Sequence, residues 1–183
     1  MILKVFLAIF VVLGVLAGIV IWLGGRLPER HRIAVAMRLR QSPEALFDTI
    51  ADIKSAGSWR DGMTSSVLVD PATDGAQRFR QTDGNGTITY RIEESERPQR
   101  FVTRIDDQSL PFGGTWTISI RANGEVAEVE VVEDGEVRSG LFRFFARYVF
   151  GHYRSAESYL RQLGSALAKM RQFDALRRRG LGS

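Results

Sequence analysis

The first two dozen residues differ from the rest of the chain in carrying an unbroken apolar run. From Val5 to Gly25 no residue is charged, and leucine, isoleucine, valine and phenylalanine dominate. About 20 apolar residues, at 1.5 Å per helical residue, match a hydrocarbon core roughly 30 Å thick. Trp22 lies near the far end of the run, just before Arg26, where an amphipathic ring prefers the boundary between lipid and water. The pattern predicts a transmembrane anchor over residues 1–26.

A cleaved secretory signal is the competing interpretation of the same run. The apolar core is longer than such signals need, and Trp22 stands where a cleavage site requires small residues, so an uncleaved single-pass anchor is favoured. Gly14 and Gly18 form a G-x-x-x-G pair, a spacing that lets two transmembrane helices approach closely. A homodimer through this face is a further alternative to a single anchor helix.

Basic residues on the two sides of the apolar run predict its orientation. Lys4 precedes the run, whereas Arg26, Arg30, Arg32, Arg38 and Arg40 follow it. Because cytoplasmic flanks carry the excess of lysine and arginine, we expect the soluble domain on the cytoplasmic side of the membrane. The chain has no cysteine, which agrees with a reducing compartment but excludes no other.

After a short linker predicted over residues 27–31, the hydrophobic pattern indicates one strand and one helix. Ile33, Val35, Met37 and Leu39 alternate with charged or small residues, as in a strand with one buried face. Ser42 then occupies an N-cap position, with Pro43 as the first helical residue. We expect this helix to end within 55–58. Its apolar stripe contains Leu46, Phe47, Ile50 and Ile53.

Beyond Trp59 the apolar period changes to two residues, which indicates strands separated by turns rich in glycine, asparagine and proline. The alternating residues are Ile88, Tyr90 and Ile92; Phe101, Thr103 and Ile105; Trp116, Ile118 and Ile120; and Val129 and Val131. The turns are expected at 83–86, 96–98, 111–114 and 122–124. Short connections of this kind predict an antiparallel sheet of about five or six adjacent strands.

The last predicted element is one long helix from about Ser139 to Met170. At about 100° per residue, its apolar residues fall on one side and its arginines on the other. The apolar side contains Leu141, Phe145, Tyr148, His152, Ala156, Tyr159, Leu163, Leu167 and Met170. The order of elements predicts an α+β domain over residues 32–170, with a curved antiparallel sheet wrapped around the C-terminal helix. Residues 171–183 are expected to form a basic tail.

This order of elements, with particular residues at the joints, resembles the SRPBCC or helix-grip superfamily, which includes START-like lipid-transfer domains and polyketide cyclase/dehydrase proteins. The resemblance covers roughly His31 to Lys169. The residues that carry it are Ser42-Pro43, Trp59, Gly114-Thr115-Trp116, Glu133-Asp134-Gly135, Leu141-Phe142-Arg143-Phe144-Phe145, Gly151 and Tyr159-Leu160-Arg161-Gln162-Leu163. It implies an apolar cavity between the sheet and the long helix. It also implies a hydrophobic small molecule or lipid as ligand, with catalysis in a minority of members and no catalytic residue carried over.

Composition and charge exclude several classes of function. The chain is 44% hydrophobic and 25% charged, as in a globular protein. About half of the net charge of +4 comes from Lys4 and Arg26, so the domain lacks the basic footprint of a nucleic-acid-binding protein. The densest basic cluster is Arg171 and 177–179, which a solvated tail explains, although contact with anionic lipid headgroups would also fit.

Residues for covalent catalysis or metal binding are scarce. Cysteine is absent, and His31 and His152 are the two histidines of the chain. We place His31 in the linker, and no G-x-S-x-G turn accompanies His152, so a serine triad is not indicated. No metal site or cofactor is predicted. Asp83-Gly84-Asn85-Gly86 imitates part of a calcium loop, but the flanking carboxylates are missing and a hairpin turn explains it.

The predicted ligand-binding residues are large rings assigned to inward faces, together with one histidine. They are Trp59, Tyr90, Phe101, Trp116, Tyr148, His152 and Tyr159. Each ring could instead be ordinary core packing, and His152 could be a core histidine bonded to a carbonyl or to Tyr148. The leading hypothesis is a membrane-tethered binding module for a hydrophobic molecule or lipid. The alternatives are a cyclase or dehydratase acting on an apolar substrate, and a protein-interaction scaffold whose cavity is filled by its own side chains.

Overall fold

The computed structural model of the chain describes residues 2–69, 74–150 and 153–180. The helices are α1 (Ile2–Arg26), α2 (Pro43–Ala51), α3 (Gly140–Phe145) and α4 (Arg154–Gly180), with a 3₁₀ helix at Ile53–Ser58 and a π-helical turn at Ala146–Phe150. The strands are β1 (Arg30–Leu39), β2 (Met63–Val69), β3 (Arg78–Asp83), β4 (Gly86–Glu96), β5 (Arg100–Ile105), β6 (Phe112–Asn123) and β7 (Val126–Val137).

The seven strands form one antiparallel sheet in the order β1-β7-β6-β5-β4-β3-β2. Strands β2 to β7 follow one another as a meander, and β1 pairs with β7 at one edge, as in the pairing of Val35 with Val131. This confirms the predicted α+β class with a curved antiparallel sheet, a C-terminal helix and an apolar N-terminal helix. It also adds β2 and β3, whose residues the alternation pattern did not single out.

Helix α2 begins where its local sequence predicts. The Ser42 hydroxyl accepts a hydrogen bond from Ala45 N at 3.2 Å, and Pro43 is the first helical residue. The helix ends at Ala51, earlier than predicted, because the Asp52 carboxylate accepts from Ser55 N at 3.3 Å and caps a new 3₁₀ helix. The 3₁₀ helix ends at Ser58, so Trp59 lies directly after it and shortly before β2 begins at Met63.

The hydrophobic core lies between α2, α4 and one face of the sheet, which we call the inner face. Alternate residues of β7 point to it, and Ala127, Val129 and Val131 are completely buried. Leu160 and Leu163 of α4 are also completely buried, which contributes about 1.5–3 kcal/mol per side chain relative to exposure. Of the predicted apolar stripe, Ala156, Tyr159, Leu163 and Leu167 are buried and face the sheet as expected.

Helix α4 closes the gap between the two edges of the sheet. A Cβ on Gly164 would lie 3.0 Å from Leu39 Cδ2, so the helix backbone packs closely against β1. On the other side, the Gln162 side-chain oxygen accepts from Asp61 N at 3.1 Å, just ahead of β2. The sheet thus curves around α4. The helix continues to Gly180, through much of the segment predicted as a tail.

The prediction of one continuous C-terminal helix is wrong in its first half. The chain forms the short α3 and then a π-helical turn before α4 begins, and a π turn changes the phase of the residues that follow it. Leu141, Phe145 and Tyr148 are exposed, as is Met170 at the other end of the stripe. The inward assignment of these four side chains is corrected. The first three are exposed because α3 packs against α1 and not against the inner face, whereas Met170 follows Leu167, the last buried residue of α4.

The contact of α1 with α3 depends on two glycines. A Cβ on Gly24 would lie only 1.8 Å from the carbonyl oxygen of Gly140, so the two backbones touch. The segment that follows is not a free linker, since Leu27 N donates to Gly24 O at 3.2 Å and Val137 N donates to Glu29 O at 2.7 Å. Strand β1 begins at Arg30, inside the predicted linker 27–31.

Candidate functional site

A carboxylate lies on the otherwise apolar inner face of β7. Glu133 follows Val129 and Val131 with the same two-residue period, and its side chain is 18% exposed. In the sheet register it is flanked by Ile33 of β1 and Trp116 of β6. Burying a carboxylate costs free energy unless donors surround it, so its partners decide whether the site is stable.

Three side chains from three elements surround the Glu133 carboxylate. His31 Nε2 lies 3.1 Å from Oε1, while Trp116 Nε1 donates to Oε2 at 2.9 Å and Ser155 Oγ donates to Oε2 at 3.4 Å. Gly135 makes room for the imidazole, since a Cβ there would lie 2.3 Å from its Cε1. Strand pairing therefore assembles a hydrogen-bonded cluster that joins β1, β6, β7 and the first turn of α4.

This cluster corrects the interpretation of His31 and adds a residue that the sequence analysis missed. His31 belongs to β1, where it pairs with Gly135, and not to a linker. A search for alternating apolar positions passes over Glu133, because its side chain is charged. A signal was nevertheless present, since an acidic residue continuing the period of Val129 and Val131 marks a polar position on a buried face.

Three of the predicted rings meet beside the carboxylate. The Tyr159 ring lies 5.5 Å from that of Trp116 and 5.4 Å from that of Trp59, both edge-on. Tyr159 is buried, and its burial raises the pKa of the phenol above its usual value, although the nearby Arg60 acts in the opposite direction. The phenol therefore stays neutral at physiological pH and can both donate and accept a hydrogen bond.

Polar groups line the other side of these rings. Arg60 has its guanidinium carbon 5.3 Å from the Tyr159 ring centre and donates to the Gln81 side-chain oxygen at 3.0 Å. Gln81 in turn donates to Ser66 Oγ at 3.3 Å. Trp59 Nε1 is enclosed by protein and has no acceptor among the described residues. Leaving such a donor unpaired costs about 1–3 kcal/mol, so an oxygen brought within reach of this nitrogen would stabilise it.

Two further predicted rings lie on the inner face, where they pack against other rings. Tyr90 stacks on Phe79 with ring centres 5.0 Å apart, and burial raises the pKa of its phenol. Phe101 packs edge-on against Phe47 and lines a cavity of about 170 Å³ between the 3₁₀ helix and β4–β5. This cavity is smaller than the roughly 300–1,000 Å³ typical of small-molecule sites.

The two remaining predicted residues do not join the cluster on the described part of the chain. Tyr148 is 62% exposed on the π-helical turn, where its ring lies 5.0 Å from that of Phe144. His152 lies outside the described residues. Within residues 2–69, 74–150 and 153–180, no three acidic or histidine side chains are grouped so that they could hold a metal ion.

Residues 30–164 match the sequence profile of a protein family described as polyketide cyclase/dehydrase and lipid transport. The chain belongs to this family. The match begins with β1 and ends within α4, so it contains the whole sheet and the cluster around Glu133. A comparison with curated proteins finds no significant match. Family membership confirms the resemblance inferred from the sequence.

Solved structures with the same fold share little sequence with this chain. A START superfamily protein from Mycobacterium smegmatis is 13% identical with a TM-score of 0.61, covering 76% of this chain and 99% of that protein. A protein from Thermus thermophilus is 15% identical with a TM-score of 0.62, covering 76% and 99%. The Zhui aromatase/cyclase from a Streptomyces species is 12% identical with a TM-score of 0.59, covering 75% and 93%. The family match and these neighbours agree on the fold of the domain.

Proposed function

We propose that this domain binds a hydrophobic small molecule or lipid between the inner face of the sheet and α4, while α1 tethers it to a membrane. The observation that carries the proposal is the convergence of Trp59, Trp116 and Tyr159 beside Glu133 and Arg60. Large rings supply apolar contact area, and a few fixed polar groups among them orient a ligand.

The polar groups indicate what the hydrophilic end of the ligand should be. The Glu133 carboxylate accepts from Trp116 and Ser155 and has lone pairs for a further donor. Trp59 Nε1 can donate to an oxygen. A hydroxyl group satisfies both requirements, because it donates and accepts at once. We therefore infer a mainly apolar ligand that carries a hydroxyl or an equivalent group at one end.

Two features support the membrane tether. Helix α1 is long and apolar enough to cross a bilayer. Its last turn also packs against the domain through Gly24, which supports a helix that is retained and not removed as a signal. Arg30 and Arg32 beyond it support a cytoplasmic domain by the positive-inside rule. A homodimer through Gly14 and Gly18 stays a prediction.

The test is to identify what the domain carries. The full chain is purified in detergent and extracted with organic solvent, and the extract is analysed by mass spectrometry alongside the Trp59→Ala and Val67→Ala variants. We expect one recurrent apolar compound in stoichiometric amount, lost from Trp59→Ala but retained by Val67→Ala, whose side chain is exposed on β2. Extracts that are identical for all three proteins, or empty for folded wild type, would reject the proposal.

A second candidate is an enzyme of the cyclase or dehydratase type. The observation that favours it is the His31–Glu133 pair, an acid and a base partly enclosed beside the aromatic cluster. Glu133→Gln keeps the shape of the side chain but removes its charge. If the domain is an enzyme, this variant should lose turnover of the extracted compound while still carrying it; unchanged turnover would remove Glu133 from the chemistry.

A further inference from the structure

Helix α3 has the reverse of the usual amphipathic arrangement, since its one charged residue is enclosed while apolar residues are exposed. The charged Arg143 side chain is only 12% exposed, donates to Leu27 O at 3.0 Å and lies 3.2 Å from Glu29 Oε1. Phe144 is partly buried, but four other apolar or aromatic residues of α3 and the π-helical turn are exposed. They are Leu141, Phe142, Phe145 and Tyr148. A helix at a water-exposed surface turns its charges outward, so this arrangement fits a less polar medium.

The position of α3 relative to α1 indicates what that medium is. A Cβ on Gly140 would lie 3.3 Å from the carbonyl oxygen of Ile21 and 3.1 Å from Gly25 N. The first residue of α3 is therefore at the level of the last apolar turn of α1. If α1 spans a bilayer, α3 begins at the depth where the hydrocarbon region meets the headgroups.

We propose that α3 and the π-helical turn form a second membrane contact, lying in the bilayer surface beside the end of α1. The apolar face of Leu141, Phe142, Phe145 and Tyr148 enters the boundary between headgroups and acyl chains, as in helices that lie in the membrane plane. This inference rests on the proposed tether, since it places α3 by its contact with a membrane-spanning α1.

Neighbouring residues fit this location. The Arg26 guanidinium lies 3.9 Å from the centre of the exposed Trp22 ring, which places a cation and an indole together at the end of α1. On the π-helical turn, the exposed Arg147 and Tyr148 likewise provide a cation and an aromatic ring at neighbouring positions. Tyrosine and tryptophan prefer the interface, and arginine can extend to phosphate groups.

A lipid surface fits this face better than a protein partner does. The start of α3 lies against the last turn of α1, where Ile21 and Leu23 are also uncovered. A protein covering α3 would have to displace lipid from the last turn of α1, whereas a bilayer covers both surfaces without a break. Burial of this apolar area in lipid is favourable at about 25 cal/mol per Å².

The absence of cysteine from the chain allows a direct test. Single-cysteine variants of the full chain, Phe142→Cys, Val67→Cys and Leu13→Cys, are labelled with an environment-sensitive NBD fluorophore and reconstituted in vesicles of ordinary or brominated phosphatidylcholine. Phe142 and Val67 are equally exposed, at 46% and 47%, but Val67 is on β2, the sheet edge opposite β1. Leu13 lies in the middle of α1 and reports on the tether itself.

We expect brominated lipid to quench more than half of the fluorescence at positions 13 and 142 and almost none at position 67. Quenching at 13 without quenching at 142 overturns the inference and leaves the tether standing. No quenching at 13 rejects the tether and the inference together. A blue-shifted but unquenched label at 142 means that protein covers α3, which also overturns the lipid contact.

Discussion

Helices α3 and α4 come from one uninterrupted amphipathic pattern in the sequence, yet they bury opposite faces. In α4 the apolar residues Leu160 and Leu163 are completely buried and Arg161 is exposed. In α3 the apolar Phe142 is exposed and Arg143 is enclosed. The difference teaches that periodicity identifies an amphipathic helix but not the medium that its apolar face meets. The neighbours decide that: the curved sheet for α4, and the end of α1 for α3.

The largest expected effect is a difference in the free energy of unfolding between two leucine variants, one in α4 and one in α3. Leu163→Ala should lower the free energy of unfolding by about 2–5 kcal/mol, because it removes completely buried methyl groups and leaves a cavity. Leu141→Ala should change it by no more than about 0.5 kcal/mol, because the side chain is exposed in the isolated protein. Urea unfolding of the full chain in detergent measures both.

Equal losses for the two leucine variants would break the comparison, since they would mean that α3 is as much a part of the core as α4. Leu160→Ala provides an internal control, because Leu160 is completely buried and should behave as Leu163 does.

The next effect concerns the contact between Gly24 of α1 and Gly140 of α3, which holds α3 against α1. Gly24→Ala should detach α3 from α1, because the new methyl group would overlap the Gly140 carbonyl. Overpacking of this kind costs about 1–3 kcal/mol. Gly25→Ala is the matched control, since a Cβ there meets nothing within 4 Å while the gain in helix propensity is the same. Faster amide hydrogen exchange in α3 for the first variant alone is the expected result.

A smaller effect is expected from the enclosed charge of α3. Arg143→Met keeps most of the side-chain stem but removes the hydrogen bond to Leu27 O and the ion pair with Glu29. We expect a loss of about 1 kcal/mol, together with faster hydrogen exchange at the amides of Leu27 and Val137, which donate to Gly24 O and Glu29 O. Arg147→Met removes an exposed charge nearby and should leave that exchange unchanged. If both variants behave alike, the enclosed position of Arg143 does not stabilise the segment between α1 and β1.

The smallest effect is a pH dependence on the buried side of α4. Burial raises the pKa of Tyr159 in the folded state above the value near 10 of an unfolded chain. The folded protein then binds the phenolic proton more tightly, so this contribution is complete below about pH 10 and declines as the pH rises further. Tyr159→Phe lacks it, so wild type should lose stability relative to this variant above that pH. Parallel urea midpoints at all pH values would contradict the burial.

Much of the fold was predictable because its signals are local. Ser42 and Pro43 start α2 through contacts within one turn, and the two-residue period of β7 follows from having one buried face. The family resemblance also depended on the order of such local features. The strands β2 and β3 were harder to locate, since their exposed positions include Val67 and Leu68, which weaken the alternation.

The site was less predictable because its contacts join distant parts of the chain. Glu133 meets His31 only because β1 pairs with β7, a register that no local pattern contains. Arg143 reaches Leu27 for a similar reason, since α3 packs on α1. Trp59, Trp116 and Tyr159 pack in or against the hydrophobic core, but their edge-on contacts depend on the curvature of the sheet.

Only Leu27, Pro28 and Glu29 separate α1 from β1, and backbone hydrogen bonds occupy two of these three residues. With α1 in a bilayer, the domain therefore cannot tumble independently of its helix. Its rotational correlation time should follow the viscosity of the lipid and not that of the surrounding water. Fluorescence anisotropy of a label on the sheet should accordingly change with acyl-chain composition. A flexible connection of the same length would leave that anisotropy unchanged.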